Sequence, residues 1–236
     1  MTRQVLGYQV AAMTLEQVTQ WALQAIRDLR PKVLVTLNPE IIVSAKTNPG
    51  LENALQAADL TVADGIGVVW ASKRLNQPLP ERVPGVDLTM RILESGGPSL
   101  RVFFLGAKPG IAQKAADEAQ RRYGTLIAGT YHGYFKRPEE VPMVVNRVRD
   151  SRAHLLLAGL GEGQELFLHQ YRSDLNTPLM IGVGGTLDVL SGKVKRTPPW
   201  IRRMGLEWAY RVGLDRKRWH RFPRLLKFVR LVLEES

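Results

Sequence analysis

Short unbroken apolar runs alternate along the chain with longer stretches in which apolar residues recur every three or four positions. Val33-Leu34-Val35-Thr36-Leu37, Leu60 to Ala63, Arg101 to Leu105, Leu126 to Thr130, His154 to Gly159 and Pro178 to Val183 are runs of the first kind. All six read as strands, and Val33 to Leu37 as one of the kind buried on both faces in parallel sheets. Between them the helical spacing predicts helices from Thr14 to about Leu29, over Ile41 to Ala45, near Leu51 to Ala57 and from Gly67 to about Leu75. Further helices are predicted from about Val86 to Glu94, from about Ile111 to Tyr123, from Pro138 to about Asp150 and from the Gly159–Glu165 turn to about Tyr171. Residues 4–12 read as one minor edge strand. Strand and helix in regular alternation predict the α/β class: a doubly wound, Rossmann-like, mostly parallel sheet.

Each predicted strand ends in glycine or polar residues, and in such sheets ligands bind outside the carboxyl ends of the strands. The third and fourth of these ends to consider are glycine turns, Gly106-Ala107-Lys108-Pro109-Gly110 and Gly184-Gly185, which can offer backbone amides to an anion. The first two carry side chains with chemistry. Thr36 and Asn38 close one strand, with Asn38-Pro39-Glu40 supplying an N-cap, a proline at the first helical position and an early acid. Asp64 closes the next, before Gly65 and Gly67, and has two readings: a carboxylate aimed into the ligand crevice, or an N-cap for the following helix.

Near Gly192 the composition changes, which divides the chain into an α/β unit (1–192) and a helical basic C-terminal appendage (193–236). From Lys193 to Arg230 there are 13 Lys or Arg against two acids, within a chain of net charge +11. Trp200 to Leu214 reads as one helix. Phe222 to Leu233 reads as another, with Leu225, Leu226, Val229, Val232 and Leu233 on one face and Arg221, Arg224, Lys227 and Arg230 over the other. A cationic amphipathic tail fits either a packed helix pair with a solvated basic face or an anchor on an anionic membrane surface.

Several chemistries are excluded. Without cysteine there is no disulfide framework, thiolate nucleophile or thiolate metal site, and the four histidines lack ligand spacing. No Asp-x-Asp pair occurs that could present two carboxylates to a divalent metal on a nucleotide diphosphate, and no metal or other cofactor is expected. Diphosphate charge would then fall to arginines and backbone dipoles. The Gly65-x-Gly67 turn lacks the third glycine of a dinucleotide fingerprint, and Gly192-Lys193-Val194 lacks the Ser or Thr of a Walker loop. No apolar run has the length of a membrane span and the N-terminus does not read as a signal peptide, so a cytoplasmic protein is expected.

The chain resembles the WecG/TagA/CpsF family of bacterial glycosyltransferases. The resemblance is carried in order by Thr36-Leu37-Asn38-Pro39-Glu40, Ala58-Asp59-Leu60, Asp64-Gly65-Ile66-Gly67-Val68-Val69, Glu81-Arg82-Val83-x-Gly85-x-Asp87-Leu88 and Phe104-Leu105-Gly106. It continues through His132-Gly133-Tyr134-Phe135, Gly182-Val183-Gly184-Gly185, Gly192-Lys193-Val194-x-Arg196 and Leu206-Glu207-Trp208-x-Tyr210-Arg211. It implies a metal-independent, inverting transfer of an N-acetylmannosamine-type sugar from a UDP-sugar to polyprenyl-pyrophosphate-linked N-acetylglucosamine, in the making of teichoic acid, common antigen or another surface polysaccharide. It also implies a location on the inner face of the plasma membrane.

Carried onto this chain, the resemblance makes Asp64 the general base, with Thr36 and Asn38 lining the sugar pocket and Arg82 orienting groups beside them. Gly106, Gly133, Tyr134, Gln164, Gly184, Gly185 and Asp188 would contact substrate, Asp188 at uracil or ribose; Arg211, Arg218 and Arg221 would fold over the site and balance the departing diphosphate. Two departures stand out. The turn before Gln164-Glu165 is one residue shorter than is usual in the family, and the usual Glu-Pro-x-Arg of the tail reads Asp215-Arg216-Lys217-Arg218. A competing reading is a nucleic-acid-binding protein that uses the basic tail with Trp219 as a stacking platform, whereas the enzyme reading expects no nucleic acid and leaves a homo-oligomer open.

Overall fold

The computed structural model describes residues 1–135, 139–198, 201 and 222–235. Eight strands are present among them: β1 (Thr2–Val5), β2 (Tyr8–Ala11), β3 (Lys32–Leu37), β4 (Leu60–Ala63), β5 (Arg101–Gly106), β6 (Leu126–Tyr131), β7 (Leu155–Gly159) and β8 (Leu179–Gly182). The helices are α1 (Leu15–Arg27), α2 (Pro39–Ala45), α3 (Pro49–Gln56), α4 (Ile66–Arg74), α5 (Gly85–Gly96), α6 (Ile111–Tyr123), α7 (Glu140–Asp150), α8 (Gln164–Gln170), α9 (Arg172–Leu175), α10 (Thr186–Leu190) and α11 (Phe222–Glu235).

Strands β3 to β8 form one six-stranded sheet in the order β4-β3-β8-β7-β5-β6, with every neighbouring pair parallel. Side-chain alternation divides its core between two faces. Val33, Val35 and Leu37 of β3, Phe103 and Leu105 of β5, and Met180 of β8 pack with α2, α3, α4, α7, α8 and α11. Leu34, Val102, Phe104, Leu179 and Ile181 pack on the other face with α1, α5, α6 and α10. This is the doubly wound architecture expected from the alternating pattern.

The N-terminal stretch differs from the single strand expected. It is an antiparallel hairpin, pairing Thr2 with Ala11 and Val5 with Tyr8. Leu6 and Gly7 both take positive φ (51° and 88°), the requirement of a two-residue hairpin turn that follows the twist of its strands. The hairpin packs beside β4 and covers the edge of the main sheet there. Local signals account for the starts of two helices. Thr14 and Gln17 form a reciprocal capping box at α1, and Asn38 caps α2 ahead of Pro39.

The predicted helix from Trp200 to Leu214 lies, except for Ile201, outside the described residues. The last helix is present as α11, with Phe228 and Val232 fully buried against the α2 and α4 side of the body. Its expected apolar face is therefore split. Leu226 and Leu233 are exposed, and Phe228 takes the inward position.

Candidate active site

The strands of the sheet end together, and their loops leave in opposite directions at its centre. The connection after β3 runs to the face holding α2, whereas that after β8 runs to the face holding α10. Such a divergence opens a crevice outside the carboxyl ends of the two strands. The sequence-predicted residues line this edge in strand order: Asp64 after β4, Thr36 and Asn38 at β3, Gly184 and Gly185 after β8, Gln164 after β7, Gly106 at β5 and Gly133 after β6.

One wall is built around Asp64. Its backbone N–H donates to the Leu37 carbonyl at 2.7 Å, which prolongs the β3–β4 ladder by one residue. Its Oδ2 accepts the N–H of Gly85 at 3.3 Å. Gly85 is the first residue of α5, so the carboxylate sits where a helix N-terminus prefers negative charge. The capping alternative is thus corrected in its target: α4 begins at Ile66, behind Gly65 (φ 91°), with no side-chain cap, and Asp64 accepts from a helix about 20 residues further on.

Thr36 closes the same corner. A Cβ placed on Gly85 would lie 3.3 Å from Thr36 Oγ1 and 3.6 Å from Asp64 Oδ2, so hydroxyl and carboxylate converge on a backbone with no side chain. Thr36 is buried and Asp64 half-buried. Val83 N–H donates to Ala63 O at 2.7 Å, pinning the loop that carries half-buried Arg82 across the end of β4. Asn38 is used differently from its neighbours. Its Oδ1 accepts from Glu40 and Ile41 N–H at 3.0 and 3.1 Å, so this side chain holds up the start of α2.

The other wall is a seam of glycines. A Cβ on Gly106 would lie 2.4 Å from Gly159 O, one on Gly159 would lie 2.9 Å from Gly184 O, and one on Gly133 would lie 3.1 Å from Gly106 Cα. Backbone from β5, β6, β7 and β8 is therefore in van der Waals contact across the crevice floor, and any side chain there would push the strand ends apart. Ala107 N–H donates to Gly159 O and Gly133 N–H to Ala107 O, which ties the turns together.

Gln164 reaches the seam in spite of its shorter preceding turn. Residues Gly161–Gly163 form a tight 3-10 turn, and Gln164 Oε1 accepts the Gly184 N–H at 2.9 Å. Its Nε2 donates to Glu165 Oε1 at 2.7 Å. Burial pushes the Glu165 carboxyl up to about 7, against a smaller lowering by the Gln164 amide. Asp188 Oδ1 accepts from Lys193 Nζ at 2.7 Å, and Tyr134 is exposed with its N–H donating to His132 Nδ1.

Sequence reasoning missed Gly85 as the donor to Asp64, and also Gly159, Gly182 and Glu165. Composition gave no signal for Glu165, since two polar residues opening a helix after a glycine turn are ordinarily exposed, whereas Gln164 and Glu165 are buried. Arg196, ion-paired with Asp87 of α5, ties the residues following α10 to the same corner as Gly85. Arg211, Arg218 and Arg221 lie outside the described residues. Among the described residues no cluster of three or more His, Asp or Glu is arranged to hold a metal ion, and no helix is long and apolar enough to cross a membrane.

An open parallel α/β sheet with a carboxylate on one wall of its crevice and bare backbone on the other is the Rossmann-like class of fold, which binds ligands at its strand ends. The chain belongs to the glycosyl transferase WecG/TagA/CpsF family, whose description matches residues 3–236. It is 38% identical over 206 residues to the N-acetylglucosaminyldiphosphoundecaprenol N-acetyl-beta-D-mannosaminyltransferase of Bacillus spizizenii, covering 86% of this chain and 79% of the relative. It is 36% identical over 194 residues to the enzyme of the same name from Staphylococcus aureus, covering 81% of this chain and 74% of the relative. The protein is therefore a glycosyltransferase.

Proposed function

We propose that this protein transfers an N-acetylmannosamine-type sugar from UDP to a hydroxyl of N-acetylglucosamine carried on a polyprenyl diphosphate, with inversion and without a metal ion. The observation that carries the reading is the convergence of Thr36 Oγ1 and Asp64 Oδ2 on Gly85 in a crevice whose opposite wall is bare backbone. Both named relatives act on a diphosphoundecaprenol-linked N-acetylglucosamine.

In the proposed step Asp64 takes the proton of the acceptor hydroxyl as its oxygen attacks the anomeric carbon. The bond from that carbon to the β-phosphate oxygen breaks on the opposite side, and UDP leaves with the electron pair. Asp64 stands two strands from Gly184, roughly 10 Å at about 4.8 Å per strand, which is room for one sugar between base and nucleotide. The glycine seam would receive the nucleotide, with Asp188 beside it; Arg82 would orient the acceptor. Arg211, Arg218 and Arg221 would balance the diphosphate as it departs.

Because the acceptor is membrane-borne in the relatives, the protein would work at the inner face of the plasma membrane. The exposed Phe222, Leu226 and Leu233 of α11, interspersed with Arg224, Lys227 and Arg230, support a peripheral contact there. The test is turnover of UDP-N-acetylmannosamine with a short-chain lipid-diphosphate N-acetylglucosamine, scored by product mass. Asp64→Asn should bind UDP normally and lose at least about a hundredfold in kcat, the lower range for a removed general base. Full turnover by that variant would refute the base assignment.

A further inference from the structure

Helix α8 opens with two polar side chains that are almost wholly buried, Gln164 at 5% and Glu165 at 3% exposure. Burying an amide and a carboxyl side by side is costly unless each finds a partner. Here the partners form a chain: Glu165 Oε1 accepts from Gln164 Nε2 at 2.7 Å, and Gln164 Oε1 accepts from Gly184 N–H at 2.9 Å. The amide has one donor end and one acceptor end. With its donor end taken by Glu165, its carbonyl is left facing the turn after β8.

The backbone beneath is cleared for this pair. A Cβ on Gly182 would lie 2.8 Å from Gln164 Nε2 and 2.9 Å from Glu165 Oε1, closer than real Cβ contacts. Gly184, the residue held by the amide, takes φ +50°, and its carbonyl lies against Gly159 of the neighbouring strand. The turn is thus fixed from one side by the β7 strand end and from the other by Gln164.

We infer that Glu165 is a positioning residue for donor binding: its carboxyl fixes the Gln164 amide, which holds the Gly184 N–H and so sets the shape of the turn that receives the nucleotide. The inference rests on the proposed placement of the nucleotide at the glycine seam. It assigns Glu165 no contact with substrate. Its influence is confined to the donor side, because Asp64 and Thr36 are built from β3, β4 and α5.

The test compares Glu165→Leu, which removes the acceptor, with Glu165→Gln, which keeps an oxygen in the same place, in steady-state assays of the full chain. Glu165→Leu should raise the KM for the UDP-sugar about tenfold, with kcat and the acceptor KM within about twofold of wild type. Glu165→Gln should restore the donor KM. Gly182→Ala, whose methyl group displaces the same two side chains, should reproduce the effect and carries the test if Glu165→Leu does not fold. The double variant Glu165→Leu/Gly182→Ala should be no worse than the poorer single one, as expected for changes in one unit.

An unchanged donor KM in Glu165→Leu, or a Glu165→Gln variant as impaired as Glu165→Leu, overturns the role given to Glu165. A fall in kcat together with loss of acceptor affinity also overturns it, since that pattern reports general disruption. Calorimetry of wild-type protein with UDP separates the two levels. Binding of UDP with no response to either substitution refutes Glu165 alone, whereas no binding of UDP to wild type refutes the donor site and the inference with it.

Discussion

Asp64 Oδ2 accepts the backbone N–H of Gly85 at 3.3 Å, joining the end of strand β4 to the beginning of a helix 21 residues later in the chain. The contact fixes the carboxylate beside the Thr36 hydroxyl and uses a residue with no side chain to do so. Gly85→Ala should therefore injure catalysis more than folding. The added methyl would lie 3.3 Å from Thr36 Oγ1, tight enough to shift the hydroxyl or the carboxylate by a few tenths of an ångström. We expect kcat to fall roughly tenfold, a modest share of what a misplacement of about 1 Å can cost. Stopped-flow or steady-state assays beside thermal melts would check this, and an unaltered kcat would refute the spacing argument.

Asn38 offers a contrasting case. Its Oδ1 satisfies two N–H groups of α2, so Asn38→Ala should destabilise the fold by about 1 kcal/mol, the usual cost of losing such a cap. Asn38→Asp retains the acceptor and should melt within a degree or two of wild type. Chemical denaturation of the three proteins decides the matter. Equal stability of Asn38→Ala and wild type would show that the cap is dispensable.

Stability should depend on pH through Glu165. Its carboxyl stands at about 7 in the folded protein against an ordinary value of 4.5, so the native state holds the proton more tightly than the unfolded chain. The stabilisation this brings is fully present below about pH 4.5 and is lost as pH rises through about 7, amounting to on the order of 3 kcal/mol. Glu165→Gln cannot titrate. Its melting temperature relative to wild type should rise by roughly 5–10 °C between pH 5 and pH 8.5. Parallel melting curves across that range would contradict the burial-driven shift.

The two faces of α11 should separate in experiment. Phe228 is fully buried and its ring edge lies 3.6 Å from where a Cβ on Gly67 would be, so Phe228→Ala removes a core contact worth about 3 kcal/mol or more. Limited proteolysis should then release the C-terminal segment. Leu226→Ala and Leu233→Ala change residues more than half exposed and should leave the melt unaltered, while together weakening sedimentation with anionic vesicles. Vesicle binding untouched by the double change would refute the peripheral contact through α11.

The class of the fold and the line of strand ends could be read from the sequence because they depend on short-range pattern: short, mostly apolar, β-branched runs such as Val33 to Leu37 suit a strand covered on both sides. The cap at Asn38 was legible for the same reason, being a side chain within three residues of the amides it accepts from. The N-terminal hairpin was not, since a Leu at φ 51° is an uncommon choice that residue type does not announce.

What tertiary structure alone decided is who meets whom at the crevice. Asp64 could be read as a crevice carboxylate or as a cap for the helix beside it, and its carboxylate accepts instead from the first N–H of α5, which packs on the other face of the sheet from α4. Glu165 was read only as the end of a glycine turn and is buried on the bare backbone of Gly182. Such pairings join residues about 20 positions apart through the register of the sheet, and local sequence periodicity holds no record of distances across it.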